Sequence, residues 1–133
     1  MARGRDRHDS KKAALAGLGK DLARRARSRC ELCEAKEALQ TVSLWTEDEP
    51  SLEATVLLCG RCDRVLQGKR DDDLDGLRFL ESAVWAESMR TQALAIVVLN
   101  ALVEGELAPW ARPLQDSLWI GEEVQAFIDR IEL

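Results

Sequence analysis

Cys30-Glu31-Leu32-Cys33 and Cys59-Gly60-Arg61-Cys62 are two Cys-x2-Cys knuckles, twenty-five residues apart, and together they use every cysteine in the chain. Two thiolates three positions apart grip one face of a tetrahedral ion, and a second such pair closes the other face. Four thiolates leave no open coordination position. The spacing therefore predicts a structural site for one Zn2+ per chain on Cys30, Cys33, Cys59 and Cys62, with iron as the competing metal. The alternatives are two disulfides or four unrelated buried thiols. The N-terminus is charged and lacks the apolar stretch of a secretory signal, which predicts a cytoplasmic, reducing compartment that disfavours disulfides.

Between the knuckles, Leu39-Gln40-Thr41-Val42-Ser43-Leu44-Trp45 is β-branched and partly alternating, the pattern of a strand. Glu47-Asp48-Glu49-Pro50 opposes a ladder and reads as a turn, after which Thr55-Val56-Leu57-Leu58 returns as a second strand into Cys59. A two-stranded hairpin is marginal alone, so metal binding is expected to supply folding energy here. A short helix is expected from Cys62 through Leu66. Upstream, residues 1–9 read as a disordered basic tail, and Ser10 can cap a helix to about Ser28 with Leu15, Leu18, Leu22 and Ala26 on one stripe.

Beyond a charged linker, Gly68 to Asp73, the pattern turns helical. Leu74, Leu77, Phe79, Leu80, Val84 and Trp85 open it, and Ala93 to Val103 is apolar nearly all round, as expected of a central buried helix. Pro109 and Pro113 around Trp110 predict a connection from Gly105 to Pro113. Val124, Phe127, Ile128 and Ile131 mark a final helix starting near Gly121. The expected subdomain packs Leu77, Leu80, Val84, Trp85, Ile96, Val97, Leu114, Leu118, Phe127 and Ile128. The fold class that results is mainly α with a small β-hairpin: a four-cysteine module of zinc-ribbon or treble-clef type over residues 10–68, packed with a helical subdomain over 69–133.

At 133 residues and 46% hydrophobic the chain has enough apolar content for a core, and its longest apolar run, Ala93 to Leu99, is far too short to cross a bilayer. Net charge is −5, but residues 1–29 carry ten Lys and Arg against three Asp, a +7 segment that leaves −12 for the rest. A basic arm can neutralise phosphates, which makes Lys12, Lys20, Arg24 and Arg27 candidate nucleic-acid contacts, weak and non-specific because the acidic body repels a polyanion. The arm can equally dock on its own body or on a second copy of the chain. Asp71, Asp72 and Asp73 read as helix-start carboxylates rather than a cation site; with Asp75 they could in principle hold Mg2+, but nothing else converges on them in sequence.

The phrase Cys30-Glu31-Leu32-Cys33, followed by Leu57-Leu58-Cys59-Gly60-Arg61-Cys62-Asp63, resembles the treble-clef frame of HNH endonucleases. Those enzymes need a His pair near the end of the first strand, where this chain has Val42-Ser43-Leu44-Trp45, and commonly a His where Asp63 stands. The sole histidine, His8, lies in the tail. Residues 24–128 also resemble the PhnA-like family of alkylphosphonate-uptake-operon proteins, through the two knuckles, Leu80-Glu81-Ser82-Ala83-Val84-Trp85, and Trp110-Ala111 with Leu114, Asp116 and Leu118. That family places Gly where this chain has Glu34. The resemblance implies a fold with an N-terminal zinc domain and no established reaction.

No nucleophile has a base to activate it, since Ser82, Ser88 and Ser117 lack a histidine partner and a metal would consume the cysteines. The expected function is a non-enzymatic zinc interaction module working on a macromolecular partner, a second copy included, with Trp45, Trp85, Trp110 and Trp119 as candidate anchors. Nucleic-acid binding through the basic helix is one alternative. An enzyme of phosphonate or phosphoester metabolism is the other.

Overall fold

A computed structural model describes residues 18–46, 51–69, 71 and 73–132. Residues 18–26 form the described part of helix α1. Ser10, Lys12 and Leu15, like His8, Asp72 and the turn at 47–50, lie outside the described residues. Then come β1 (Leu39–Ser43), β2 (Thr55–Cys59), α2 (Gly60–Leu66), a 3-10 turn (Asp75–Leu77), α3 (Leu80–Ala83), α4 (Met89–Glu104), α5 (Ala111–Ser117) and α6 (Glu122–Arg130). The architecture is mainly helical with one antiparallel hairpin.

The strands pair from Leu39 with Cys59 to Ser43 with Thr55. β1 alternates, with Val42 buried between exposed Thr41 and Ser43. β2 is buried along almost its whole length. Its outer edge would strand backbone groups without a partner, and the first knuckle supplies one. The Glu31 backbone N–H donates to Leu57 O at 2.8 Å, and the Leu57 N–H donates to Glu31 Oε2 at 2.8 Å. Arg25, from the end of α1, donates Nη2 to Thr55 O at 2.7 Å and Nη1 to Leu52 O at 2.7 Å. The edge is thereby closed.

α2 begins at the second knuckle, and just past its Gln67 cap Gly68 has φ +83°. There the Lys69 N–H reaches Arg64 O at 2.9 Å, a terminal turn that glycine adopts without steric cost. The following linker is anchored rather than loose. Arg61 pairs with Asp71 at 2.7 Å and donates to Asp73 O at 2.6 Å, while Asp73 Oδ1 accepts the Gly76 N–H at 3.0 Å.

α4 is the central helix. Ser88 caps it by accepting the Thr91 N–H at 3.3 Å, and Ala93, Leu94, Ala95, Ile96, Val98, Leu99, Leu102 and Val103 are buried. Asn100 is half-buried and satisfied, accepting from Gln115 Nε2 at 2.8 Å. The expected connection to Pro113 is shorter than its prolines suggested. Pro113 is the third residue of α5, inside the first turn, where no intrahelical donor is lost. Trp85 is a second correction. It is 52% exposed, because Val84 takes the inward position as α3 ends and the chain turns away.

One core joins the hairpin to the helices. Leu44, Val56 and Leu58 share a cluster with Leu80, Leu99 and Phe127. The C-terminal strap fastens it: the Glu132 N–H donates to Leu44 O at 2.7 Å, and Glu132 Oε2 accepts the Thr46 N–H at 2.9 Å.

Candidate metal centre

The chain leaves α1 through two successive residues in the left-handed region, Arg27 at φ +57° and Ser28 at φ +55°. That reversal delivers Cys30 under the hairpin. The first knuckle is a tight turn in which the Cys30 N–H donates to Ala35 O at 2.8 Å, the Glu34 N–H to Cys30 O at 2.9 Å and the Cys33 N–H to Cys30 Sγ at 3.5 Å. Glu34 closes it at φ +68°. The second knuckle repeats the device on a different scaffold. Cys59 ends β2 and caps α2, its Sγ accepting the Cys62 N–H at 3.4 Å, and Cys62 lies in the first turn of that helix.

The two knuckles converge. All four sulfurs lie within 4.8 Å of one another, with Cys33 Sγ and Cys59 Sγ 3.6 Å apart. A metal bonded to four thiolates at about 2.3 Å requires a tetrahedron edge of about 3.8 Å, so the spacing suits a single ion. All four cysteines are free thiols. Cys30, Cys59 and Cys62 are buried, and Cys33 is the half-exposed member.

Electrostatics within the cluster favour a cation. Thiol hydrogen bonds from Cys33 and then Cys62 hold Cys30 far below an ordinary thiol. The same bond pushes Cys33 up to about 12, and bonds to Cys30 and Cys33, with burial, push Cys62 well above the usual range. One thiolate stabilised by its neighbours' protons is what a buried sulfur cluster does without positive charge. A divalent ion held there would replace those protons and let the cysteines ionise.

The remaining candidate residues divide. Trp45 is 8% exposed and packed edge-on against Phe127 at 5.6 Å, with Arg130 stacked 4.0 Å above its ring, so it belongs to the core and not to a docking surface. Trp110 is half-buried and packed against the same core. Trp85 and Trp119, the latter 81% exposed, are the tryptophans open to solvent. Lys20, Arg24 and Arg27 are exposed on or just after α1, while Leu22 of that helix is fully buried. Asp71 and Asp73 serve Arg61 and the backbone, and Arg61 beside Asp71 holds that carboxyl below the usual carboxylate range.

Arg25 and Glu31 are the residues that sequence reasoning missed. Their pair, Nε to Oε1 at 2.8 Å and Nη2 to Oε2 at 3.0 Å, locks α1, the first knuckle and β2 together. Thr91 of α4 adds a further tie, its hydroxyl donating to Glu31 O at 2.7 Å. The only prior signal was an opposite charge six positions away, too far for one helical turn. No helix among the described residues is long and apolar enough to cross a membrane. No protein-family model, curated protein or solved structure matches the chain.

Proposed function

We propose that the chain is a zinc-ordered interaction module: Cys30, Cys33, Cys59 and Cys62 hold one Zn2+, and the ion fixes the hairpin on which the helical half is assembled. The observation that carries this reading is the convergence of four sulfurs from two knuckles within 4.8 Å. A closed tetrathiolate set orders a fold and leaves no position for a substrate, which favours binding over a reaction. The ion also stabilises the knuckle turns, where sulfurs already accept backbone N–H groups. Kinship with PhnA-like proteins over residues 24–128 belongs to the same proposal and rests on the knuckles and the Trp110-Ala111 to Leu118 segment. The surface offered to a macromolecular partner includes Trp85 and Trp119, large aromatic groups exposed on the helical half.

Elemental analysis tests the centre: one zinc per chain is expected, and a folded chain with four free thiols and no metal would overturn the reading. The partner surface has a separate test. Trp85→Ala and Trp119→Ala should reduce capture of a native partner while zinc content and helical signal stay constant. Capture that survives both changes would place the interface elsewhere.

A further inference from the structure

A cleft of about 660 Å3 opens between the first knuckle and the α3–α4 connection, and four arginines line it. Arg25 is fully engaged by Glu31 and by backbone carbonyls. The other three, Arg27, Arg29 and Arg90, form no ion pair with a carboxylate among the described residues. That is unexpected in a chain whose residues after 29 carry a net −12. Arg90 is the most exposing case. Its Nη2 donates to Glu53 O at 3.2 Å and its Cζ lies 5.6 Å from the centre of the Phe127 ring, but its Nε is buried without an acceptor. Burial and the nearby Arg25 charge work against the cation, and the Glu31 and Glu53 charges work for it. Ser82 adds an exposed hydroxyl with no hydrogen-bond partner among the described residues, and Phe79, Ala83 and Ala86 supply an apolar wall.

The left-handed pair Arg27 and Ser28 turns the chain so that Arg27 and Arg29 both line this cleft. Both positions are strained for a residue with a Cβ, a local strain of the kind that collects at functional sites. Planar guanidinium forks match oxyanions, and three of them with a hydroxyl exceed what the two oxygens of a carboxylate can use. A phosphate monoester offers three terminal oxygens and close to two charges. The volume lies in the range of small-molecule sites, about 300–1,000 Å3.

We propose that the cleft binds a small phosphate monoester, with Arg27, Arg29 and Arg90 around the phosphate and Phe79, Ala83 and Ala86 against the organic part. Cys30 and Cys33 also line the cleft, so the site adjoins the proposed zinc centre, but it needs no chemistry from the metal. Glu34 also lines the cleft and opposes the anion.

Calorimetric titration of the full chain with phenyl phosphate and with inorganic phosphate tests it. Phenyl phosphate should bind with a Kd of about 1 mM or tighter and inorganic phosphate more weakly. The double change Arg27→Gln with Arg29→Gln should weaken both about tenfold or more, with metal content and thermal melting unchanged, and Glu34→Gln should tighten them. Absence of saturable binding up to roughly 10 mM would overturn the proposal. So would affinity untouched by the double change, or metal loss in that variant, which would assign the arginines to the knuckle. A short single-stranded oligonucleotide bound more tightly than phenyl phosphate would replace the small ligand with a nucleic acid.

Discussion

Glu34 occupies a backbone position that suits another residue. Its φ of +68° lies in the left-handed region, which costs a residue with a Cβ roughly 1–2 kcal/mol and glycine almost nothing. Glu34→Gly should therefore stabilise the chain by about 1 kcal/mol, read as a higher denaturant midpoint at unchanged slope. A lower midpoint would mean that the Glu34 side chain contributes more than its backbone costs. Glu31 is the opposite case. Its carboxylate serves Arg25 and the Leu57 N–H at once, and its side chain is only 10% exposed. Glu31→Ala leaves a guanidinium and a strand-edge donor without their acceptor, and should cost about 3 kcal/mol in equilibrium unfolding. A loss under about 1 kcal/mol would show that water replaces the clamp.

Elements here are held at their ends. α2 is seven residues long, and its stability depends on the cysteine cap at one end, the Gly68 turn at the other, and Arg61 reaching to the linker. The Asp71 carboxyl titrates lower in the folded chain than in the unfolded one, so around pH 4 the unfolded chain binds more protons. The contribution of the pair is complete above the ordinary carboxylate pKa and disappears as pH falls through the folded value. Asp71→Asn should cost about 1 kcal/mol at neutral pH and flatten the fall in stability below about pH 4. An acid limb identical to that of the parent chain would contradict this. Gly76→Ala attacks the same contact sterically, because a Cβ there would stand 2.6 Å from both Arg61 Nη atoms.

Across the molecule, the hairpin and the helices depend on each other. The strands contribute Val56 and Leu58 to the core that α4 fills with Leu94, Ile96 and Leu99, and the strap at Glu132 returns to Leu44. Leu99→Ala should cost roughly 2–5 kcal/mol, because a fully buried site with close neighbours on every side collapses poorly. Cys59→Ser should act over a wider range. A Ser hydroxyl can still accept the Cys62 N–H and cap α2, but one of the four candidate metal ligands is lost, so metal loss should be accompanied by loss of hairpin amide protection and a lower melting temperature for the whole chain. A hairpin that stays protected in Cys59→Ser without metal would show that the helical half alone maintains it.

Local pattern determined much of this protein. Knuckle spacing specified which sulfurs meet, alternation from Leu39 onward specified the hairpin, and the apolar run from Ala93 specified the central helix, since each property repeats within a turn or a strand. Pro113 misled because proline is a breaker only past the first turn, and the start of α5 depended on packing. Contacts between distant segments had no local signature. That Arg25 and Glu31 would clamp the edge of β2, that Trp45 would be enclosed by Phe127 and Arg130 while Trp85 faced solvent, and that three arginines would line one cleft all depended on how α1, the hairpin and α4 came together. A side chain's type sets which partners suit it, and only the tertiary structure decides which of them come within reach.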